Sequence, residues 1–336
     1  MATPRIGIPK ALLYYEYFPM WKTFFEYLGS EVVLSPPTTS RMLASGSSRV
    51  VAETCLPVKV FIGHVLSLAD KCDYIFVPAI RSMEKKIHNC SKFLGLPDMT
   101  KAAAPEAHIL EADIDVDKGK RQLYLDVYKL GRHFTWNPFK IKKAAEATWQ
   151  AHQAYLAKML THSKTPLQVL GEMLGEPERK EKDNSNPWAR VGLIGHPYLL
   201  YDEYVNYRLF TRLEDLGVEI LFPEKIKKED NDAAIAKLVE KAYWTYEGEV
   251  IGAGGYCLDN EVDGVIALAA FGCGPDSMMM DLLQRYAKRQ RKPFMLLTLD
   301  EHTSETGLLT RLEAFLDMIY RRKAVRNNVA AGLKTR

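Results

Sequence analysis

The feature that most constrains the fold of this chain is that it spells out one run of elements twice. Near the start, Arg5-Ile-Gly-Ile-Pro leads through Tyr15-Glu16-Tyr17 to Leu28-Gly29-Ser30-Glu31-Val32. Later, Arg190-Val-Gly-Leu-Ile leads through Asp202-Glu203-Tyr204 to Leu216-Gly217-Val218-Glu219-Ile220. Each copy reads as a strand, an aromatic-rich loop, an amphipathic helix ending at glycine, and a second strand. In the first, Met20, Trp21, Phe24, Phe25 and Leu28 recur at helical spacing, and Pro19 suits the first helical turn. In the second, Val205, Leu209, Leu213 and Leu216 make the stripe. Gly29 and Gly217 suit the left-handed position just past a helix. The correspondence continues through two apolar runs that read as buried strands, Asp73 to Ala79 and Asp263 to Ala269. A cysteine follows each: Cys90 before Gly95-Leu-Pro-Asp-Met, and Cys273 before Gly274-Pro-Asp-Ser-Met. A further strand follows in each copy, His108 to Asp113 and Phe294 to Leu299.

Alternating β and α elements of this length call for parallel sheets covered by helices. The expected fold is α/β: two facing Rossmann-like or flavodoxin-like domains with parallel sheets, related by the internal repeat. The N-terminal α/β domain is placed at residues 1–136, a helical connection and polar linker at 137–187, and the C-terminal α/β domain at 188–336. Within the connection, AAEATWQAHQAYLAKML is a strong helix former. The run ERKEKDNSNP, between Gly175 and Trp188, reads as an exposed linker. The basic, Ala/Asn-rich tail after Arg321 is expected to fray.

A length of 336 residues accommodates two such domains, and 47% hydrophobic with 26% charged residues is ordinary for a soluble globular protein. The net charge of +3 points to neither nucleic acid nor a membrane surface. No apolar run approaches the ~18 residues of a membrane span, and the N-terminal residues do not read as a signal peptide. Five scattered cysteines are not a disulfide framework and fit a reducing cytoplasm.

Three of those cysteines, Cys55, Cys90 and Cys273, stand where helices should begin, and two of them follow strands. Helix N-termini carry partial positive charge and free N–H donors, which favour thiolates and anionic clusters. Three thiolates from distant positions would hold a metal or an iron–sulfur cluster with one coordination site open. The competing account is that free cysteines are small core hydrophobes. It is the better one for Cys72 and Cys257, which do not lie at a strand's carboxyl end. For the other three there is no C-x-x-C pair, and the two accounts stand level.

Lys59, Arg81, Lys85, Lys86 and His88 fall near the same predicted crevice. They are placed to offset a cluster's negative charge or to bind the phosphates of a CoA-like ligand, or equally to form a solvated loop. Glu301, His302 and Glu305 follow the last strong strand and are candidates for proton relay. They serve as well to start a helix near Thr306 with Thr303 as its cap. Tyr14, Tyr15, Tyr17 and the Gly195–Tyr198 loop occupy equivalent places in the two copies, lining a pocket or packing the halves together. There is no Walker A loop, no Gly-x-Gly-x-x-Gly after a strand and no Gly-x-Ser-x-Gly elbow. Gly252-Ala-Gly-Gly255 lies in a helical stretch, so any ATP hydrolysis falls to a partner.

Five ordered segments, GIPKALLYYEYFPMWKTFFEYLG, ETCLPVKVFIGHV, DYIFVPAIRSMEKKIHNCSKFLGLPDM, FGCGPDSMMMDLL and LLTLDEHTSETGLLTRLEAFLDMI, resemble the acyl-CoA dehydratase activase-related family. That family is similar to the iron–sulfur D-component of 2-hydroxyacyl-CoA dehydratases. The resemblance implies a [4Fe–4S] cluster on Cys55, Cys90 and Cys273, and an ATP-hydrolysing activase or other electron donor as partner. It also admits a dehydratase-like subunit or a second copy of the chain as partner. The leading expectation is a cytoplasmic [4Fe–4S] protein in ATP-linked low-potential electron transfer or reductive activation. The fourth iron would take water, a small substrate or a side chain such as His88. A dehydratase-like catalytic subunit binding an acyl-CoA thioester at the open iron comes second. A non-enzymatic, metal-stabilised scaffold for an activase comes third.

Overall fold

The protein, described here from a computed structural model over residues 3–162, 164–177, 186–260 and 262–333, contains two sheets. The first holds β1 (Arg5–Ile8), β2 (Glu31–Leu34), β3 (Tyr74–Glu84), β4 (Ile87–His88) and β5 (Ile109–Asp115). Its parallel strands run β2-β1-β3-β5, and β4 folds back antiparallel on the end of β3. The second holds β6 (Ala189–Ile194), β7 (Val218–Leu221), β8 (Gly264–Ala270) and β9 (Phe294–Leu299), parallel throughout in the order β7-β6-β8-β9. Helices connect the strands, so the class is α/β, as the alternating pattern requires. Every residue of β8 is buried, which is why it reads as an unbroken apolar run rather than an alternating one.

The two sheets share details at their amino ends. Arg5 N–H donates to Asp73 at 2.7 Å, and Arg190 N–H donates to Asp263 at 2.9 Å. Arg5 also pairs with Glu31 at 3.7 Å and Arg190 with Glu219 at 3.3 Å. Gly7 leaves room for Cys72, whose Sγ would lie 3.0 Å from an added Cβ. Gly192 does the same for Cys257 at 2.7 Å. Both cysteines therefore pack, as the core account holds.

The helices depart from the sequence expectation where burial outweighs local signals. The first runs Tyr14–Leu28, so Pro19 lies inside it rather than in its first turn. Tyr14, Tyr15, Tyr17 and Phe18 are all buried, and covering them extends the helix toward its N-terminus despite the proline. Gly29 closes it at φ 96°, as expected. The corresponding helix in the second half is only Leu209–Asp215, and Leu216, placed in its apolar stripe, is 45% exposed. Pro78 sits inside β3, beyond the last residues that pair with β1, where β5 is the only ladder partner.

The helix Leu56–Leu68 is buried almost all round. It lies backbone to backbone on the helix Ser40–Ser47: a Cβ at Gly46 would stand 1.9 Å from Lys59 O, and one at Gly63 2.1 Å from Met42 O. The connecting helix Pro138–His162 forms as propensity predicts, and it packs on the first half. Tyr155 Oη donates to Tyr15 O at 2.5 Å, and Ile141, Ala144, Tyr155 and Met159 are buried. One continuous core, from Ile6 to Ile319, takes in both halves, with a second cluster inside the C-terminal half. Most of the polar linker, residues 178–185, lies outside the described residues. The segment after Arg321, expected to fray, continues the helix Glu305–Leu333.

Candidate metal centre

Each of the three singled-out cysteines is an N-cap. Cys55 precedes the helix Leu56–Leu68, Cys90 the turn of helix Ser91–Leu94, and Cys273 the helix Gly274–Arg289. The residues that follow make these starts inevitable. Pro57 and Pro275 occupy first-turn positions where the missing N–H costs nothing, and the cap carbonyls accept the first helical bonds. All three thiols are free and partly buried.

At the seam the loop before Cys273 closes on Cys55. Gly272, at φ 78°, carries the loop before Cys273 so close to the first half that an added Cβ would meet Glu53 O at 3.3 Å and Cys55 Cα at 4.0 Å. Charge on Cys90 and on Cys273's neighbour Asp276 raises the Cys55 thiol, and charge on Cys55 raises that of Cys273. The buried Tyr198 hydroxyl feels Cys273, Cys55 and Cys90 alike.

Helix N-termini do not, however, lower the Cys55 and Cys273 thiols. Burial pushes Cys55 up despite the Val58 N–H and the nearby Lys92. Burial, then the charge of Asp276, pushes Cys273 well up. Desolvation outweighs the local dipole, so thiolates here require a cation to replace the proton.

A second group of donors adjoins Cys273. A ring nitrogen of His196, Cys273 Sγ and a carboxylate oxygen of Asp276 lie within 4.8 Å of one another, a set able to hold a metal ion. His196 follows the end of β6 and Asp276 sits in the first turn after Cys273; both are almost wholly buried, at 3% and 1% exposure. His196 Nε2 donates to Asp276 Oδ1 at 2.5 Å, and Asp276 Oδ2 accepts from Ala270 N–H at 2.9 Å. The Cys273 thiol also donates to Asp276. Burial alone would raise this carboxyl, but the charge and hydrogen bond of His196, with the other donors, hold it below the usual range. Tyr198 stacks on the imidazole at 5.1 Å and Tyr246 meets it edge-on at 5.1 Å. Neither His196 nor Asp276 was singled out as a donor from sequence. The signal was present in their position, just beyond the carboxyl ends of β6 and β8.

The other sequence candidates scatter. Lys59, expected in a phosphate- or cluster-facing surface, is 2% exposed and committed: its ammonium donates to Glu301 at 2.5 Å and to Ala52 O at 2.9 Å. Glu301, expected to relay protons, is thus one end of a bond between the halves. Burial would raise its carboxyl, and Lys59 holds it below the usual range. His302 is exposed, and Glu305 pairs with Arg212. The helix cap is Ser304, whose Oγ accepts from Gly307 N–H at 3.1 Å, while Thr303 bonds Asp300 instead. Lys85 and Lys86 form the exposed turn between β3 and β4, Arg81 pairs with Asp113 at 2.6 Å, and the exposed His88 joins Tyr243 and Trp244 through its backbone.

A cavity of about 670 Å³ opens elsewhere along the seam, lined by Lys10, Tyr14, Tyr15, Thr38, Asp202 and Arg208 among others, and by none of the cysteines. Of the tyrosines expected at a pocket, Tyr14 and Tyr15 line it, whereas Tyr198 belongs to the thiol cluster. Beside the cavity a buried chain crosses the seam. Ser35 Oγ and Thr38 Oγ1 bond the two nitrogens of His64 at 2.7 and 2.8 Å, and Thr38 donates to Asp202 at 2.5 Å. Burial, then Lys10, lowers the imidazole to about 3, and burial raises Asp202 to about 6.

No helix among the described residues is long and apolar enough to cross a membrane. No curated protein matches the chain. Residues 5–226, which carry Cys55 and Cys90 and end before Cys273, match the family described as the CoA enzyme activase uncharacterised domain (DUF2229). That match covers more than half of the 336 residues, and the chain belongs to this CoA enzyme activase-related family.

Proposed function

We propose that this is a cytoplasmic iron–sulfur protein, with Cys55, Cys90 and Cys273 as ligands to three irons of a [4Fe–4S] cluster. In this reading it works in ATP-linked low-potential electron transfer or reductive activation, akin to the D-component of 2-hydroxyacyl-CoA dehydratases. The observation that carries the reading is the meeting of three helix-capping thiols from both halves in one seam. Their chemistry fits the group: thiolates are the customary cluster ligands, and helix N-termini with Lys92 nearby offset its negative charge. The cluster would supply one-electron chemistry. The chain's own contribution would be to hold the thiols from two sides, next to a buried aromatic cluster of Tyr198, Phe93 and Tyr246 whose Tyr198 hydroxyl feels the charge of the thiols. The electron donor is an ATP-hydrolysing activase, since the sequence has no phosphate-binding loop of its own.

The test is iron and acid-labile sulfide per chain in anaerobically purified protein, with electron paramagnetic resonance after dithionite. About four of each, and a reduced-cluster signal that Cys273→Ser abolishes, is the expected result. Unchanged absorbance in that variant removes the ligand assignment.

The His196–Cys273–Asp276 set favours a second reading, a mononuclear zinc site within the C-terminal half of a scaffold that docks to an activase. Stoichiometric zinc without sulfide would establish it. A dehydratase-like role with an acyl-CoA thioester at an open iron has less support, because none of the three cysteines lines the 670 Å³ cavity. A spectral shift of the cluster on adding an acyl-CoA would revive it.

A further inference from the structure

We propose that His196, held in place by Asp276, is the fourth protein ligand of the centre, which is therefore closed by the protein rather than left open to substrate. The inference rests on the cluster reading above and narrows it. Three observations carry it. First, a ring nitrogen of His196 lies within 4.8 Å of Cys273 Sγ, whereas the side chain of His88, the histidine suggested by sequence, is on the exposed hairpin. Second, His196 is 3% exposed with its Nε2 occupied by Asp276, yet its Nδ1 is buried without any partner. Buried polar atoms are ordinarily satisfied, so an orphaned nitrogen on an imidazole that neighbours Cys273 marks a place for an electrophile. Third, metal-bound histidines commonly use one nitrogen for the metal and the other for a carboxylate that fixes the ring. Asp276 fills that second role, itself anchored by the Ala270 N–H.

The ring has little freedom to do anything else. Tyr198 stacks against one side of it and Tyr246 closes in edge-on, and Tyr198 itself borders the three thiols. Nothing about packing requires a histidine here. At the corresponding place beyond β1 the chain has Ala11, and the aspartate matching Asp276 in the first half, Asp98, is exposed. A buried imidazole–carboxylate pair, present in one half and absent from the other, is an addition that the scaffold does not need.

Nitrogen hyperfine spectroscopy of the dithionite-reduced wild-type protein decides the matter. The expected result is a directly coordinated nitrogen whose signal changes isotope when the protein is labelled with ¹⁵N-histidine. That coupling should vanish in His196→Gln and persist in His88→Gln. In Asp276→Asn it should persist with a broadened spectrum, because the ring loses its orientation. Should His196→Gln fail to fold, the labelled wild type still answers the question, and His196→Cys should keep the cluster with all-thiolate ligation. Four irons and four sulfides without histidine coupling, or coupling that survives in His196→Gln, overturns the ligand assignment and leaves the cluster standing. Zinc alone, or no metal after anaerobic reconstitution, overturns the cluster reading and this inference with it.

Discussion

The two halves are built on the same strand order but equip it differently. In each, a helix begins between the second and third strands of the parallel sheet. Its cap is Cys55 in the first half and Trp244 in the second, where the backbone joins His88 of the β4 hairpin. After the third strand each half offers a cysteine cap, Cys90 or Cys273. Beyond the first strand of each sheet, the first half has a buried apolar turn at Ala11, Leu12 and Leu13, and the second has buried His196 bonded to Asp276. Two thiols therefore come from one side of the seam, and one thiol with an imidazole–carboxylate pair comes from the other. Equal scaffolds can supply unequal donors because the strand ends are free to carry different chemistry once the sheets are packed.

The comparison breaks most severely where helices touch through their backbones. Gly63→Ala, or Gly46→Ala, should cost about 3 kcal/mol or more, because neither helix can retreat without unseating Cys55 and Lys59. Chemical denaturation would measure it. The helix that Trp244 caps packs through Gly252 and Gly255 against side chains of the helix Lys228–Val239, which can give way. Alanine there should cost less.

The bond between the halves comes next. Glu301→Gln leaves the Lys59 ammonium buried among neutral acceptors with no counter-charge, and should cost about 3 kcal/mol. Lys59→Met leaves a carboxylate with partial access to water and should cost less. If the order of the two variants in denaturation is reversed, the ammonium is not the trapped charge.

Smaller again is the close approach shared by the first strands. Gly192→Ala should cost about 2 kcal/mol, since Cys257 is fully buried, and Cys257→Ala should restore much of it. Gly7→Ala should cost less because Cys72 is partly exposed and can shift.

The last effect appears only as a slope. Burial pushes the Glu16 carboxyl up to about 7 from 4.5, against the Tyr246 hydroxyl that donates to it at 2.9 Å. Between those values the folded protein keeps a proton that the unfolded chain has lost. Stability thus falls as pH rises through the window, by at most about 1.4 kcal/mol per pH unit. Glu16→Gln should flatten the profile from pH 4.5 to 7. Glu203, at the matching place in the second half, is exposed.

Much of this was legible in the residues. The alternation of apolar runs and helical stripes gave the parallel α/β class, and Pro57 and Pro275 marked Cys55 and Cys273 as helix starts, because local chemistry decides where a helix begins. The polar candidates were less legible. Lys59 read as a surface cation and is buried, Glu301 read as a proton relay and is its partner, and Thr303 read as a cap that Ser304 supplies. His196 passed as a pocket-lining loop residue and Asp276 as one residue in a turn. Their meeting spans 80 positions of sequence, and no local pattern records a contact of that range.

What the sequence determined by itself was the order of strands and helices and the capping place of each cysteine, since these follow from spacing, propensity and turn residues within a few positions. Tertiary structure alone decided that the Cys273 loop of one half closes on Cys55 of the other, that burial overrides the helix dipoles and raises the Cys55 and Cys273 thiols, and that His196 finds Asp276. Those outcomes depend on how two sheets approach across a seam, and on the desolvation that the approach imposes.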